Sequence, residues 1–337
     1  MAFNISSRRY LGNKYKLLDF ITEVVESNCQ NINTVCDIFS GTGSVASAFL
    51  DKQLIVNDMM YSNYMAALTW FSPQSVDMNK LIEIVFEANE MDYSSVSNYM
   101  SENFSNTYFS ELTCKKIGHF RERIEQLYSS QIINERERAI LITSLIYTMD
   151  KHAKTCGHYD SFIQNAIHDV DFTIDLPNIS YDLNQANQCF NQDANILIRN
   201  ITCDLLYLDP PYNSRQYCDA YHLLENVALW NQPEVFGVAK KMDRTTMKSS
   251  YCKTTAGASL EDLILHADCR YILLSYNNNG NKFQIRSNAK ISDDEIMRIL
   301  SLRGSVTIFD KDFKAFSAGK SDNPDNRERL FLCQVQN

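Results

Sequence analysis

The stretch "TVCDIFSGTGSVASAF", residues 34–49, joins an apolar run to a glycine-rich turn and then to a second apolar segment. The first run, 34–39, is typical of a buried strand, and the segment after the glycines predicts a helix that extends to about Asp51. "LIVND" (54–58) predicts a second strand, and a second helix runs through "YMAALTWF". Strands that alternate with helices in this way indicate a parallel sheet covered by helices.

The pattern changes after the second helix. From about residue 78 to 166 the apolar residues recur at helical spacing, and Asn134 with Glu137 three residues later predicts a capped helix start. Ser292 and Glu295 give the same signal near the other end of the chain. Strand-like runs resume at "DLLYLD" (204–209), "RYILLSY" (270–276), "SVTIF" (305–309) and "RLFLCQV" (329–335).

These elements predict an α/β fold, a Rossmann-like sheet that carries a mostly helical insertion. We expect the sheet domain to comprise residues 1–70 and 186–337, and the insertion to comprise 71–185. A chain of 337 residues with 45% hydrophobic content can bury a core of that size.

Composition excludes several classes of protein. No run of eighteen apolar residues predicts a membrane span, and the N-terminal residues lack the apolar core of a signal peptide, so we expect a cytoplasmic protein. The ten cysteines contain no Cys-x-x-Cys pair, and the six histidines are spread out. Neither set has the spacing of zinc ligands, so we expect no metal.

The net charge of −9 is unusual for a dedicated nucleic-acid binder. One local segment is nevertheless basic, because residues 240–253 hold five Lys or Arg side chains and a single acid. The segment is either a solvated face or a phosphate-binding surface. Lys240, Lys241 and Lys248 are its candidate DNA-binding residues.

The glycine turn indicates an adenosine-containing ligand. Gly41 and Gly43, followed by Ala46, satisfy the G-x-G-x-x-G/A pattern, and Asp58 ends the next strand at the distance of an acid that binds ribose hydroxyls. NAD fits the glycines equally well. Asp37, however, would repel a dinucleotide's pyrophosphate, whereas it suits the ammonium group of S-adenosylmethionine.

A second motif, "LLYLDPPYNSRQY" (205–217), places a carboxylate and two prolines after an apolar run. The alternative is a solvated turn capped by Asp209. Functionally, the Asp209 carboxylate and the Pro210 carbonyl could accept the two hydrogens of an aromatic amine, and Tyr212 offers a face for stacking. Adenine's exocyclic amine is such a group, and an enzyme must flip the base out of a duplex to reach it.

The two motifs belong to a longer set that spans nearly the whole chain. Its pieces, in order, are "RRYLGNKYKLL" (8–18), "DIFSGTG" (37–43), "VND" (56–58), "NQDANIL" (191–197), "DPPYNSRQY" (209–217), "YILLSYNNNG" (271–280), "FKAF" (313–316) and "RERLFL" (327–332). With these pieces the chain resembles the Dam-like class of DNA adenine methyltransferases, in particular the FokI-type subgroup.

The resemblance implies a set of site residues. The cofactor-binding residues it implies are Tyr10, Lys14, Asp37, Phe39, Gly41, Gly43, Asp58, Asp193 and Asp209, and the catalytic ones are Asp209, Pro210 and Tyr212. Among these, Asp193 would lie beside the cofactor's adenine, although an isolated Asp is also common as a helix or turn cap.

The implied activity is site-specific DNA methylation at adenine. A methyl group would pass from S-adenosyl-L-methionine to the 6-amino group of a flipped adenine in double-stranded DNA, within a restriction-modification system that has a cognate restriction endonuclease. The insertion, including residues 150–162, would supply target recognition. The alternatives are an RNA adenine methyltransferase and, from a different class, a non-catalytic DNA-binding subunit with the same fold.

Overall fold

A computed structural model of the protein describes residues 2–155, 157–163, 169–179, 181–277, 290–312 and 327–336. Two quoted pieces of sequence fall at its gaps, because 278–280 of "YILLSYNNNG" and all of "FKAF" (313–316) lie outside the described residues. Cys156, within the 150–162 stretch, lies outside them as well.

Within the described residues, seven strands form a single sheet. They are β1 (Thr34–Asp37), β2 (Gln53–Asn57), β3 (Gln188–Phe190), β4 (Thr202–Leu208), β5 (Asp268–Asn277), β6 (Gly304–Asp312) and β7 (Arg327–Val335). Their order across the sheet is β3-β2-β1-β4-β5-β7-β6. The first five strands run parallel, and β7 runs antiparallel to both β5 and β6. The predicted α/β fold class is confirmed.

The α-helices of the described residues are α1 (Leu18–Asn28), α2 (Tyr61–Phe71), α3 (Met78–Glu90), α4 (Tyr99–Phe104), α5 (Glu111–Ser129), α6 (Glu135–His152), α7 (Ala194–Leu197), α8 (Tyr217–Ala220), α9 (His222–Leu229), α10 (Ala256–His266) and α11 (Asp293–Ser301). None of them combines the length and the apolar character needed to cross a bilayer.

The chain divides into two compact units. The helical unit comprises Met1–Asn13, Met60–Leu183 and Tyr217–Thr246, and the sheet unit comprises Lys14–Met59, Asn184–Gln216 and Met247–Asn337. Each unit has its own core. In the helical unit, α6 is buried without a break from Arg136 to Asp150. A helix buried on all sides acts as the centre around which other helices pack.

The core of the sheet unit lies between the sheet and helices α10 and α11. Its fully buried residues include Leu206 on β4, Ile272 on β5 and Phe331 on β7. The β4 and β5 side chains come from near-continuous apolar runs, as expected for parallel strands covered on both faces. This rigid framework fixes the strand ends at which the candidate site is built.

Both predicted helix starts are found. Asn134 caps α6 by accepting from the Glu137 backbone N–H at 3.0 Å, and the Glu137 carboxylate accepts from the Asn134 N–H at 2.9 Å. Ser292 likewise caps α11 by accepting from the Glu295 N–H at 3.3 Å. The Glu295 side chain, however, lies against Gly257 on α10, so the reciprocal half of that capping box is not formed.

The segment after the glycine turn, for which the sequence predicts a helix to about Asp51, is not an α-helix. The segment forms a 3₁₀-helix only over Ala46–Phe49. Hydroxyl groups compete with helical pairing there, because Ser47 Oγ donates to the Ser44 carbonyl at 2.7 Å and Thr42 Oγ1 lies 3.0 Å from Ser44 Oγ. Strand β3 was not predicted, since three residues are too few to show an alternating pattern.

Candidate active site

The strand order of the sheet reverses between β1 and β4, which pair with each other. In open α/β sheets a ligand binds at such a reversal, outside the carboxyl ends of the strands. Asp37 is the last residue of β1, and Asp209 directly follows β4. Asp37 pairs in register with Tyr207, two residues before Asp209, so both acids stand at the same point of this edge.

Asp37 is a buried acid with an unsatisfied oxygen. Only 2% of the residue is exposed, and Oδ1 has no hydrogen-bond partner within the part of the chain that the structure describes. Burial is the main reason that the pKa of Asp37 is raised to about 8, and the charge of the nearby Asp209 carboxylate adds to it. A hydrogen bond from the Ala46 backbone opposes this increase. An acid in this setting gains much from a cationic ligand.

The glycine turn lies next to the second candidate acid. Gly41 and Gly43 have φ values of 55° and 83°, in the left-handed region that glycine adopts at little cost. The Gly43 N–H donates to the Ser40 carbonyl at 2.7 Å and closes the turn. Asp58, which follows β2, accepts from the Gly41 N–H at 2.8 Å through Oδ2. The predicted ribose-binding acid therefore stands against the predicted glycine loop.

Asn57 ties this region together, and sequence reasoning missed it. Its side-chain amide donates to the carbonyls of Ile38 and Gln192 at 3.0 and 3.1 Å, and its Oδ1 accepts from the Gln192 N–H at 3.0 Å. The loop after β3 is thereby fixed to the ends of β1 and β2. Asn57 lies in the quoted "VND", where a polar residue that closes an apolar run was the available signal.

Asp193 lies in that same loop and caps a helix. It is exposed, and its Oδ1 accepts from the backbone N–H groups of Asn195 at 2.8 Å and Ile196 at 3.4 Å, at the start of α7. This is the capping role that the sequence left open beside a cofactor contact.

Asp209, whose side chain is 19% exposed, belongs to an ionic network whose other members are buried. The ammonium group of Lys14 lies 3.0 Å from Oδ1 of Asp209 and 3.2 Å from Oε1 of Glu328. The Ser275 hydroxyl donates to the same Glu328 oxygen at 2.8 Å. Sequence reasoning found Lys14 and Asp209 but missed Glu328 and Ser275. A lone acid at the start of the apolar run "RERLFL" was the signal for Glu328.

The network sets the ionisation of Asp209. Burial raises the pKa of its carboxyl and the Glu328 charge adds to this, while Lys14 opposes both, and the result is a pKa of about 6. The second oxygen of Asp209, Oδ2, contacts no hydrogen-bond donor in the described ranges. Pro210 is buried beside it, and the Tyr212 ring meets Tyr276 edge-on at 6.1 Å.

The remaining predicted residues are divided between the units. Phe39, in the sheet unit, packs edge-on against Tyr251 at 5.0 Å. Tyr10 is in the helical unit, where it stacks on Tyr217 at 5.3 Å and on Tyr221 at 4.8 Å. Its hydroxyl accepts from the Asn63 amide at 2.9 Å.

The basic segment is also divided, since Lys240 and Lys241 belong to the helical unit and Lys248 to the sheet unit. Phe236 and Lys241 exchange two backbone hydrogen bonds of 2.9 Å and close a tight turn with Lys240 near its tip. The Lys241 ammonium pairs with Asp160 at 2.7 Å, whereas Lys248 is exposed.

The 150–162 stretch is partly packed within the helical unit. Asp150 accepts from the Arg9 backbone N–H at 3.0 Å, and Tyr159 is fully buried. Asp160, near the end of the stretch, is half-buried and pairs with Lys241.

The sequence pattern of D12 class N6 adenine-specific DNA methyltransferases matches residues 10–294. The chain belongs to this family. The match covers both the glycine turn and the Asp209 motif, so the resemblance to FokI-type adenine methyltransferases is confirmed.

Three relatives of this chain show how far the likeness extends. Modification methylase StsI from Streptococcus sanguinis is 32% identical, and the type II methyltransferase M.FokI from Planomicrobium okeanokoites is 30% identical. Each comparison covers 97% of this chain and 52% of the relative, so the chain spans about half the length of those two proteins. The type II methyltransferase M.NlaIII from Neisseria lactamica is 31% identical over 94% of this chain and 95% of its own.

Methyltransferases of this kind use S-adenosylmethionine as methyl donor, and the residues present fit that cofactor. The buried Oδ1 of Asp37, which has no hydrogen-bond partner among the described residues, suits a cationic group, and the glycine turn with Asp58 suits a nucleoside. These two features, the Asp37 oxygen and the glycine turn with Asp58, are the basis for this fit.

Replacing Asp37 with Asn tests this fit. The folded-state pKa of Asp37, about 8, lies above its ordinary value. The protonated carboxyl therefore favours the folded state at low pH, and this contribution to the free energy of unfolding is lost as the pH rises from the ordinary pKa to about 8. We expect Asp37→Asn to raise the free energy of unfolding at pH 8, without cofactor, by several kcal/mol, since each unit of pKa shift corresponds to about 1.4 kcal/mol. Denaturant unfolding between pH 5 and 9 measures it.

The same variant should bind S-adenosylhomocysteine more weakly in calorimetry, because its amide cannot neutralise an ammonium group. Asp51→Asn, on an exposed side chain paired with Lys52, is the control and should change neither quantity. Unaltered affinity in Asp37→Asn would show that the cationic end of the cofactor lies elsewhere.

Proposed function

We propose that the protein is a site-specific DNA-methyltransferase (adenine-specific) that transfers a methyl group from S-adenosyl-L-methionine to the 6-amino group of a flipped adenine. The observation that carries the proposal is the Asp209 carboxylate at the end of β4. One of its oxygens is held by Lys14, and the other is open to a substrate amine. Double-stranded DNA is the proposed substrate, and a restriction endonuclease of the same modification system is the proposed partner.

The cofactor would lie along the carboxyl ends of β1 and β2. Asp37 would receive its ammonium group, Gly41 and Gly43 would let the backbone approach it, and Asp58 would accept from its ribose hydroxyls. Phe39, Asp193, Lys14 and Tyr10 are proposed as further cofactor contacts on the strength of the family resemblance. When bound, the cofactor supplies an electrophilic methyl group on a sulfonium.

Asp209 would act on the target amine. Adenine's amino lone pair is delocalised into the ring, so the amine is a poor nucleophile. Two acceptors, Oδ2 of Asp209 and the carbonyl of Pro210, would hold its hydrogens and favour the pyramidal form, while Tyr212 stacks on the base. The rate would come from orientation and preorganised electrostatics, with no covalent intermediate on the enzyme.

Two alternatives make different predictions. An RNA adenine methyltransferase would mark RNA and leave DNA unmodified, and a non-catalytic subunit would bind DNA without marking it. The ionic network on Asp209 favours an enzyme, because a DNA-binding subunit gains nothing from holding this carboxylate. Long-read mapping of 6-methyladenine in DNA and RNA from cells that express the protein, together with a DNA-binding measurement, distinguishes all three.

Substitution of Asp209 gives the most direct test. We expect Asp209→Ala to slow methyl transfer by roughly 10²–10³-fold, as when one preorganised hydrogen-bond partner is removed. In the wild type, the rate should fall below about pH 6, where the Asp209 carboxyl takes up a proton and can no longer accept hydrogen bonds through both of its oxygens. Transfer of a tritiated methyl group to DNA between pH 5 and 9 measures both.

Asp204→Ala is the matched control, since Asp204 lies on β4 away from its carboxyl end and bonds the backbone of Asn33 and Thr34. It should retain both the rate and the pH profile, provided that circular dichroism shows an intact fold. Near-full activity in Asp209→Ala would contradict the assignment.

DNA would be held by cations, because the chain as a whole is acidic. We propose that Lys240, Lys241 and Lys248 contact phosphates and that residues 71–185 read the target sequence. Lys241 is already paired with Asp160, so it should contribute less than the exposed Lys248.

Changing the three lysines together to Ala should weaken binding to many DNA sequences alike. The log–log salt dependence should flatten by up to about 0.9 for each phosphate that the variant no longer neutralises, with little change in sequence preference. Fluorescence anisotropy with several duplexes at several salt concentrations measures this. A charge-matched control replaces Lys52, Arg298 and Lys311. Equal behaviour of the two triple variants would reduce the basic segment to a solvated face.

A further inference from the structure

Glu328 is a buried acid at a place where no packing requirement explains it. It is 3% exposed and lies at the start of β7, whose following residues Leu330, Phe331 and Leu332 are all buried. Because β7 runs antiparallel to β5, its first residues stand at the same edge as the carboxyl ends of the parallel strands. The topology therefore delivers an acid from the far end of the chain to the catalytic edge.

The Glu328 carboxylate is held from two sides. Ser275, on β5, donates to Oε1 at 2.8 Å, and the Lys14 ammonium lies 3.2 Å from the same oxygen. Lys14 in turn lies 3.0 Å from Oδ1 of Asp209. The four side chains are linked in series, from Ser275 through Glu328 and Lys14 to Asp209.

Such a network is unfavourable to bury. Removing charges from water costs several kcal/mol for each ion, and apolar residues of the same size are often as stable. Two carboxylates around one ammonium also leave a net negative charge in the interior. Because a buried network of this kind is weak evidence for a stabilising role, it is a candidate for a positioning role.

We propose that Glu328, oriented by Ser275, is a positioning residue for methyl transfer. It anchors the Lys14 ammonium against Oδ1 of Asp209, so that the carboxylate cannot rotate and Oδ2 is presented to the target amine. The proposal rests on the proposed function of Asp209, and it assigns to Lys14 a role toward Asp209 in addition to any contact with the cofactor.

Glu328 has two effects on Asp209 that oppose each other. It fixes the cation that favours the Asp209 carboxylate, yet its own charge disfavours that carboxylate. The other titratable groups that face Asp209 within the described residues are Asp37, Tyr207 and Tyr212. Glu328→Gln separates the two effects, because an amide oxygen can still accept from Lys14 but carries no charge.

The test follows the ionisation of Asp209 and the rate of methyl transfer in the same variants. Carbon-13 NMR of labelled Asp carboxyls, with Asp209→Asn for assignment, reports the ionisation in the cofactor-free protein. Glu328→Gln should shift the Asp209 titration, and the acid limb of single-turnover methyl transfer, to lower pH. Lys14→Met should shift the NMR titration to higher pH, because it removes the cation and leaves the acid.

Glu328→Leu and Ser275→Ala test the anchor. With Lys14 unanchored, Glu328→Leu should lower the single-turnover rate on the order of 10²-fold, the cost of a misplaced reacting group. Ser275→Ala should have a smaller effect in the same direction, and Glu328→Gln should lose less than Glu328→Leu. Asp204→Asn removes one charge elsewhere on β4 and should leave the titration of Asp209 where the wild type has it.

The proposal is overturned if Glu328→Gln leaves the Asp209 titration unmoved, or if Glu328→Leu folds and transfers methyl groups at the wild-type rate. Should Glu328→Leu fail to fold, Glu328→Gln and Ser275→Ala still decide the matter. A wild-type protein that methylates no DNA would instead refute the proposed function, and the NMR titrations would remain interpretable without activity.

Discussion

The carboxylates at the point where the strand order reverses are the constraint on which the candidate site depends. Asp37 and Asp209 stand at the ends of neighbouring strands, and the Asp209 charge raises the pKa of Asp37. Lys14 pairs with Asp209 and Glu328, while the Asp37 carboxylate has no cationic partner in the described ranges. A sheet edge with surplus buried acid is unfavourable on its own, and it is suited to a cationic ligand.

The surrounding fold maintains this unfavourable arrangement. The sheet unit places apolar residues around the strands, so the acids cannot withdraw into solvent without breaking strand pairing. Asn57 fixes the loop after β3, Asp58 is held by the Gly41 N–H, and the antiparallel β7 brings in Glu328. Stability lost at the strand ends is offset by the core between the sheet and helices α10 and α11.

The parts of the fold that sequence predicted are those with a local signal. The apolar runs of β1, β2, β4 and β5 are long enough to show a buried strand, and the Asn134 capping box is written in residues three apart. The 3₁₀ segment after the glycines was mistaken for an α-helix, because hydroxyl side chains that bond their own backbone are not visible as a break in hydrophobic periodicity.

The acids at the strand ends could be predicted from the sequence, but the residues that hold Asp209 in place could not. Asp37, Asp58 and Asp209 each follow an apolar run, and this position has a general meaning in α/β sheets. Glu328 and Ser275 have no such position, since their meeting depends on β7 pairing antiparallel with β5. Strand order and direction are properties of the assembled sheet, so no window of sequence contains the Lys14–Glu328 contact.

The two acids at the strand reversal are coupled, and on the proposed function this coupling orders the reaction. Asp209 raises the pKa of Asp37, so by reciprocity a proton or a positive charge at Asp37 favours the ionised form of Asp209. A positive charge placed beside Asp37 therefore does two things at once. It relieves the buried acid, and it makes Asp209 a better acceptor for an amine. A site arranged in this way presents Asp209 in its ionised form whenever the charge of Asp37 is neutralised, whether by a proton or by a cationic cofactor.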